Sequence, residues 1–243
     1  MIRHFLRCGA LFLATLFLLP AGAANLQISP VTIQFRPGQG AAGINLQNYG
    51  DAPLYGQVRV YQWDQRDGQD VLTPAIDVVA SPPVMQIAAR SSQTIRLVRR
   101  GNIQNAAEQT YRILIDEIPR DDGAASGVAI RLQYSVPVFA QPTDAQAAPR
   151  LDWTLFRKEG AWMLRVRNDG TLHAQIGATT LHAGGKDYEL SKGLLGYTLA
   201  GKVREWRLPI DAKVDLGAPG AKLVIRATVN ARVLDASAAV AGE

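Results

Sequence analysis

The side chains with catalytic potential are few and scattered in this chain of 243 residues. His173 and His182 each lie near a turn and lack a second histidine at metal-ligand spacing, which favours structural or solvated roles. Asp116 and Glu117 are adjacent, so on a strand they point to opposite faces and cannot form an acid–base pair. We therefore expect no catalytic residues, no metal site and no enzyme activity.

The N-terminal segment has the composition of a secretory signal peptide. A basic start at residues 3–7 precedes an apolar run at 10–19 and small residues at 21–24. The run is too short to span a bilayer comfortably, so we expect export without stable membrane insertion. We predict a signal peptide over residues 1–24. Its removal takes away Cys8, the only cysteine, and leaves no thiol for a disulfide or a metal site.

The charge of the chain is mild and argues against a nucleic-acid partner. The formal charge is +5 for the whole sequence and +3 after Arg3 and Arg7 are removed. Aromatic residues make up only 7%, and the Lys and Arg residues do not form a block. We therefore expect no nucleic-acid binding.

Arginines within apolar stretches are the most informative charged residues. An arginine on the outer face of a sheet is the ordinary interpretation for Arg96, Arg99 and Arg112. Arg112 differs because its strand is expected to neighbour residues 128–139, where a guanidinium could hold a carboxylate through two parallel hydrogen bonds. Arg96 and Glu117 are predicted to form an internal or interdomain ion pair.

Short apolar runs separated by turn residues predict an all-β protein of two immunoglobulin-like sandwiches. We place the first domain at 25–140, a Pro- and Ala-bearing linker at 141–150 and the second domain at 151–243, with a frayed end at 235–243. The predicted strands are 26–35, 42–47, 54–63, 83–87, 93–98, 111–117 and 128–139, then 152–157, 162–168, 174–181, 186–190, 203–209 and 223–233. An Asn-x-Gly turn at 48–50 and another at 168–170 suggest tandem domains of similar plan.

The last strand of the first domain, residues 128–139, has an unusually long alternation of apolar and other residues. Val128, Ile130, Leu132 and Tyr134 share one face with two later valines. An apolar strand of this length at a sheet edge promotes aggregation unless something covers it. A partner protein could be that cover.

Several stretches resemble periplasmic pilus-assembly chaperones, specifically the archaic branch of the chaperone–usher pathway. They are LQISPVTIQFRPGQ, INLQNYGDAPLYGQVRVYQW, DVVASPPVMQIAARSSQTIRLVR, TYRILIDEIP and IRLQYSVPVF in the first domain, and VRNDGTLHAQI and LGYTLAGKVREWRLP in the second. The resemblance covers essentially the mature length and is densest in the first domain.

This resemblance implies two immunoglobulin-like domains in an L or boomerang arrangement and a location in the periplasm. It implies binding of pilus subunits by donor-strand complementation, in which the chaperone lends a strand that its client lacks. By position, Val128, Ile130 and Leu132 correspond to the inserted residues, with Tyr134 as a further one. An outer-membrane usher would then receive the subunit, and no cofactor is implied.

One departure from the family concerns the anchor for the client's terminal carboxylate. Better-known members supply an arginine and a lysine at the positions that correspond to Thr32 and Pro137 here. We hypothesise that Arg112 replaces them, with Arg99 as a weaker candidate. The resemblance also assigns Arg96 and Glu117 to internal ion pairs.

Two other functions compete with this expectation. One is an immunoglobulin-like periplasmic or surface module, structural or adhesive, that donates no strand. The other is a hydrolase on a sandwich scaffold, which the missing catalytic residues disfavour. For the free chaperone, a self-capping dimer is plausible because an exposed apolar edge needs cover.

Overall fold

The computed structural model describes residues 26–101, 105–119 and 131–242. All the regular secondary structure within these ranges is β-strand. No described segment is a helix long and apolar enough to cross a membrane. The strands of the first domain are β1 (Leu26–Ser29), β2 (Ile33–Phe35), β3 (Ala41–Asn48), β4 (Leu54–Arg66), β5 (Gln69–Pro74), β6 (Val78–Ser81), β7 (Val84–Ile87), β8 (Ser92–Arg99), β9 (Gln109–Ile118) and β10 (Gln133–Ala140). Those of the second are β11 (Leu151–Lys158), β12 (Ala161–Asn168), β13 (Ala174–Ala183), β14 (Lys186–Ser191), β15 (Gly196–Thr198), β16 (Val203–Arg207), β17 (Lys222–Val229) and β18 (Arg232–Val240).

The first ten strands form two sheets around one core. One sheet has the order β1-β3-β8-β6, and the other has the order β2-β10-β9-β4-β5, with β7 also paired to β4. Burial alternates along several of these strands, as in β8, where Ile95 and Leu97 point inward and Arg96 points to solvent. The inner faces of both sheets meet around Phe35 and Ile113. This is the sandwich that the alternating pattern predicts.

The first predicted strand, 26–35, is wrong as one continuous element. β1 pairs with β3 in one sheet, whereas β2 runs parallel to the end of β10 in the other. The chain crosses between the sheets at residues 30–32, where Pro30 has no N–H to offer to a strand ladder. Because of this crossing, β2 is short and covers only the last three residues of β10.

The second domain is one hydrogen-bonded sheet curled around its own core. Its order is β14-β13-β17-β18-β11-β12-β16, with β15 paired to β13, and its core includes Trp153, Leu164 and Ile225. The predicted single strand 223–233 is wrong, since a turn with positive φ at Asn230 and Ala231 separates β17 from β18.

The predicted fraying of residues 235–243 is also wrong for the residues of this segment that the structure describes, 235–242. β18 extends to Val240, pairs with both β17 and β11, and buries Ala238 and Val240. The small alanines carry little periodic signal in the sequence, but they fit between closely packed strands.

The predicted similarity between the two Asn-x-Gly turns is confirmed in detail. Asn48 and Asn168 are both buried, and each accepts a 2.9 Å hydrogen bond from the backbone N–H two residues later. Their side-chain amides donate to the carbonyls of Ala52 and Leu172, at 2.9 and 2.7 Å. Each asparagine thus fixes the same turn at the same place in its own domain.

Aromatic packing joins the two domains. Trp63 and Phe139 of the first domain form one buried cluster with Tyr197 and Leu199 of the second. The His173 ring stacks on Phe139, with ring centres 3.6 Å apart. Strands β4 and β10 are therefore held against the second domain at this junction.

His173 and His182 each have a carboxylate partner in the described structure. Nδ1 of His173 lies 2.7 Å from the buried Glu108 carboxylate, and His182 is exposed beside Asp187. Among the described residues, no group of three His, Cys, Asp or Glu side chains could hold a metal ion.

Candidate functional site

Strand β10 differs along its length in how many neighbours it has. It pairs with β9 from Gln133 to Ala140, but β2 covers its other edge only from Val138 onward. In the described part of the chain, no strand pairs with that second edge at residues 133–137. We call this stretch the open edge.

The backbone of the open edge can accept another strand. The carbonyl of Leu132 accepts from the N–H of Glu117 in β9, whereas the N–H of Gln141 donates to β2. Backbone groups alternate between the two sides of a strand. The N–H groups of Gln133 and Ser135 therefore point away from β9, and Pro137 offers only its carbonyl. Such an edge is a template for strand addition.

The four predicted donor residues fall into different environments. Val128 and Ile130 lie outside the described residues, and Leu132 is half-buried just before β10 begins. Tyr134 packs against the core of its own domain, and its hydroxyl donates to the carbonyl of Leu26 at 3.2 Å. Burial, aided by the charge of Glu117, raises the pKa of Tyr134. Tyr134 thus serves its own domain in this structure, which differs from its expected role as a further inserted residue.

The outer face of β10 leads into a cavity between the domains. Ser135 and Pro137 line this cavity, whose volume is about 390 Å³, together with Thr32 and Arg112. The two positions that lack the family's anchoring cations therefore lie in the same cavity as their predicted replacement. The second domain contributes Gln175, Leu194, Leu195, Gly196, Tyr197, Arg204 and Trp206.

Arg112 is held by aromatic rings. It lies opposite Pro137 in the register of β9 and β10. Its Cζ atom is 3.8 Å from the centre of the Trp63 ring and 5.5 Å from that of Tyr197. These cation–π contacts fix the guanidinium plane and leave its edges available for hydrogen bonds.

Arg112 forms no salt bridge with any residue that the structure describes. Burial lowers the pKa of its guanidinium, whereas the charges of Tyr197 and Asp70 act to raise it. A half-buried cation without a close counter-ion is unfavourable by itself, which makes Arg112 a candidate for binding an anion.

Arg99 lies away from this cavity. It is buried at the end of β8, where it donates to Asn105 at 3.2 Å and to Gln109 at 2.9 Å. Its Cζ atom is also 5.6 Å from the centre of the Phe35 ring. Arg99 is not among the described residues that line the cavity, so its placement favours Arg112 over it as the anchor.

The predicted ion pair between Arg96 and Glu117 is wrong. Arg96 is exposed on β8 of one sheet, Glu117 lies on β9 of the other, and no salt bridge joins them in the described structure. Arg96 faces solvent because its neighbours Ile95 and Leu97 occupy the buried face.

An ion pair that the sequence did not predict stabilises the start of β10. Arg59 on β4 donates to the Asp116 carboxylate at 2.7 Å, and Gln133 donates to the same carboxylate. Burial alone would raise the pKa of Asp116, but the hydrogen bonds from Gln133 and Arg59 outweigh it and lower the pKa.

A contact between the domains was also missed from the sequence. The turn after β4 reaches the second domain, where Arg204 donates to the carbonyl of Gly68 and to Gln69. Gly68 has φ of +71°, and a Cβ atom there would lie 2.6 Å from the Glu205 side chain, so only glycine fits. The Asp-Gly pair predicts a turn, but no local signal indicates what the turn contacts.

A match to a known protein family is consistent with this geometry. The family of pili and flagellar-assembly chaperones, PapD N-terminal domain, has a model that matches residues 25–146, half of the chain. The chain belongs to this family. A relative among characterised proteins is the probable fimbrial chaperone YadV of Escherichia coli K12, 24% identical over 69% of this chain and 72% of that protein.

Solved structures of chaperones share the fold. One is the complex of the chaperone CsuC with the tip adhesion subunit CsuE, from the archaic Csu pili of Acinetobacter baumannii. It matches with a TM-score of 0.71 and 24% identity, over 90% of this chain and 100% of that chain. Another is the Salmonella enterica SafA pilin with the SafB chaperone, at a TM-score of 0.61 and 17% identity, over 88% and 96% of the two chains.

Family membership makes this chain a pilus-assembly chaperone with two immunoglobulin-like domains. It favours this function over the structural or adhesive module that the sequence left open. The role of the family is that of a chaperone, not that of an enzyme.

Proposed function

We propose that this chaperone binds pilus subunits in the periplasm by donating the strand that leads into β10. The observation that carries the proposal is the open edge of β10, which ends at the aromatic-bound guanidinium of Arg112. A client strand would add to the edge through the backbone groups of Gln133 and Ser135. Its terminal carboxylate would pair with Arg112.

The direction of the client strand follows from the charge at the end of the edge. β10 runs from Gln133 toward Ser135 and Pro137, which line the cavity. A client strand parallel to β10 brings its C-terminal carboxylate to Arg112, where two hydrogen bonds can form. An antiparallel strand that ended there would bring an ammonium group toward a cation, which is repulsive.

The side chains that enter the client's groove are expected to be Val128, Ile130 and Leu132. Tyr134 packs on its own domain and is best regarded as the boundary of the donated segment. Full burial of an aliphatic side chain contributes about 1.5–3 kcal/mol, so three of them support tight binding before ordering costs are subtracted.

The remaining steps need no chemistry from this chain. We propose that it is not an enzyme, uses no cofactor, and hands its client to an outer-membrane usher. Without a client, a second copy of the chain could cover the open edge and form a self-capping dimer. Sedimentation of the free protein over a range of concentrations tests the dimer.

Co-purification from periplasm tests strand donation. The chaperone is co-expressed with a fimbrial subunit from its own operon, as wild type and as the double variant Ile130→Asp/Leu132→Asp. Val233→Asp is the matched control because Val233 is 70% exposed on the second domain. We expect a stoichiometric complex with wild type and control and none with the double variant. A double variant that retains the subunit would overturn the proposal.

A further inference from the structure

We propose that the Asp70 carboxylate is a resident counter-ion of the interdomain cavity, and that it competes with the client's terminal carboxylate for the two arginines there. This inference rests on the proposed function, because it concerns the same carboxylate site. It adds a residue that weakens binding, and it adds Arg204 of the second domain as the other cation.

Asp70 is held at the wall of the cavity by a bridge between the domains. Its Oδ1 atom accepts a 2.9 Å hydrogen bond from Nε2 of Gln65, a residue that is only 4% exposed. Gln65 is fixed in turn, since it donates to the carbonyl of Tyr197 at 2.8 Å and accepts from the N–H of Leu199 at 3.0 Å. Asp70 lines the same cavity as Arg112, and its charge acts on that guanidinium.

Arg204 faces Asp70 with one side of its guanidinium. Its Nη1 atom donates hydrogen bonds to the carbonyl of Gly68 and to the side chain of Gln69. Its Nε atom is 3.6 Å from Oδ1 of Asp70, which is a salt-bridge distance but too long for a good hydrogen bond. This side of Arg204 can therefore exchange Asp70 for a carboxylate that approaches more closely.

The cavity thus holds two guanidinium groups, one from each domain, and one carboxylate. An arriving client carboxylate is attracted by Arg112 and Arg204 and repelled by Asp70. The Asp70 side chain is 41% exposed, so solvent screens the repulsion and keeps it modest. A client with a neutral terminus does not experience this repulsion.

The substitution Asp70→Asn removes the charge and keeps an oxygen for the bond from Gln65. We expect it to tighten the binding of a carboxylate about two- to fivefold, the range for a partly exposed charge pair. Asp67→Asn is the matched control. Asp67 lies in the turn between β4 and β5, three residues before Asp70, but lines a different surface depression, beside Lys158 and Arg165.

The probe is a synthetic eight-residue peptide of alternating valine and threonine, made with a free C-terminal carboxylate and as the C-terminal amide. Binding is followed by NMR through the indole N–H of Trp63, the ring on which Arg112 rests. We expect wild type to prefer the acid over the amide. We expect Asp70→Asn to strengthen binding of the acid but not of the amide, and Asp67→Asn to change neither.

The outcomes separate the two claims. If wild type does not prefer the acid, the carboxylate anchor of the proposed function fails, and the role of Asp70 fails with it. If wild type prefers the acid but Asp70→Asn binds it no more tightly than Asp67→Asn does, the anchor stands and the competing role of Asp70 is overturned.

Discussion

The two ends of strand β10 have different surroundings. From Val138 to Ala140 the strand is paired on both edges and fully buried. From Gln133 to Pro137 it is paired with β9 alone, and Tyr134 at its start is only half-buried. The difference arises because the chain enters this sheet only after residues 30–32, so that β2 begins opposite Val138 and leaves the earlier residues of β10 uncovered.

Under the proposed function, β10 serves both its own domain and the client. The closed end, Val138 to Ala140, fixes the position and direction of β10, and its inner side chains belong to the core of the chaperone. The open end keeps its backbone groups available and points its other face into the cavity of Arg112. A donated strand needs both ends, since a strand without a fixed end could not hold its register.

The largest expected effect is on stability and separates the two ends directly. Val138→Asp places a charge in a fully buried site, so we expect the first domain to lose more than about 4 kcal/mol of its free energy of unfolding. Leu132 lies outside the core cluster, so we expect Leu132→Asp to change the free energy of unfolding by no more than about 1 kcal/mol. Urea unfolding of both variants is the measurement. Equal destabilisation by the two substitutions would show that the open end is part of the core.

The next effect concerns Arg112 and client binding. Arg112→Gln removes charge-assisted hydrogen bonds, which we expect to weaken subunit binding about 10- to 100-fold without unfolding the protein. Surface plasmon resonance with a purified subunit measures the change.

The matched control for Arg112 is Arg157→Gln. Arg157 also stacks on an aromatic ring, with its Cζ atom 4.5 Å from the centre of the Trp162 ring, but it lies in the second domain outside the cavity. We expect the Arg157→Gln variant to bind the subunit with wild-type affinity. If Arg112→Gln also binds the subunit with wild-type affinity, Arg112 is not the carboxylate anchor.

The smallest effect is a pH dependence at the start of β10. The folded-state pKa of Asp116 lies below its ordinary value of about 4, so its stabilising contribution is present above that value. The contribution is lost as the pH falls through the lowered pKa. At pH 7 we expect the free energy of unfolding of wild type to exceed that of Asp116→Asn by less than about 1 kcal/mol, since the carboxylate is partly exposed.

Urea titrations of both proteins between pH 7 and pH 3 measure this difference. We expect the two stabilities to converge at the acid end. A gap that stayed constant over the whole range would mean that the Asp116 charge does not stabilise the start of β10.

The fold was largely predictable from the sequence because alternation and turn residues are local signals. The Asn-x-Gly turns and most strand centres followed from them. The split of 26–35 into two strands could not be predicted from these signals, since the alternation of apolar and polar residues is the same whether a strand stays in one sheet or crosses to another. The extended β18 was missed because small side chains leave no periodic mark.

The site was predictable only in part. Arg112 could be singled out from the sequence because its strand was expected beside the donor strand. Its aromatic support from Trp63 and Tyr197, and the nearby Asp70 and Arg204, come from different domains and are adjacent only after folding. The Arg96–Glu117 pair failed for the same reason, because sequence position does not tell which sheet a residue faces.

The most direct test of strand donation is hydrogen exchange at single amides of β10, in the free chaperone and in its complex with a subunit. The account predicts that the amides of Gln133 and Ser135 exchange fast in the free chaperone and become strongly protected in the complex. The amides of Tyr134 and Val136, which point toward β9, should be protected in both states. If Gln133 and Ser135 exchange as fast in the complex as in the free protein, the open edge does not receive a client strand.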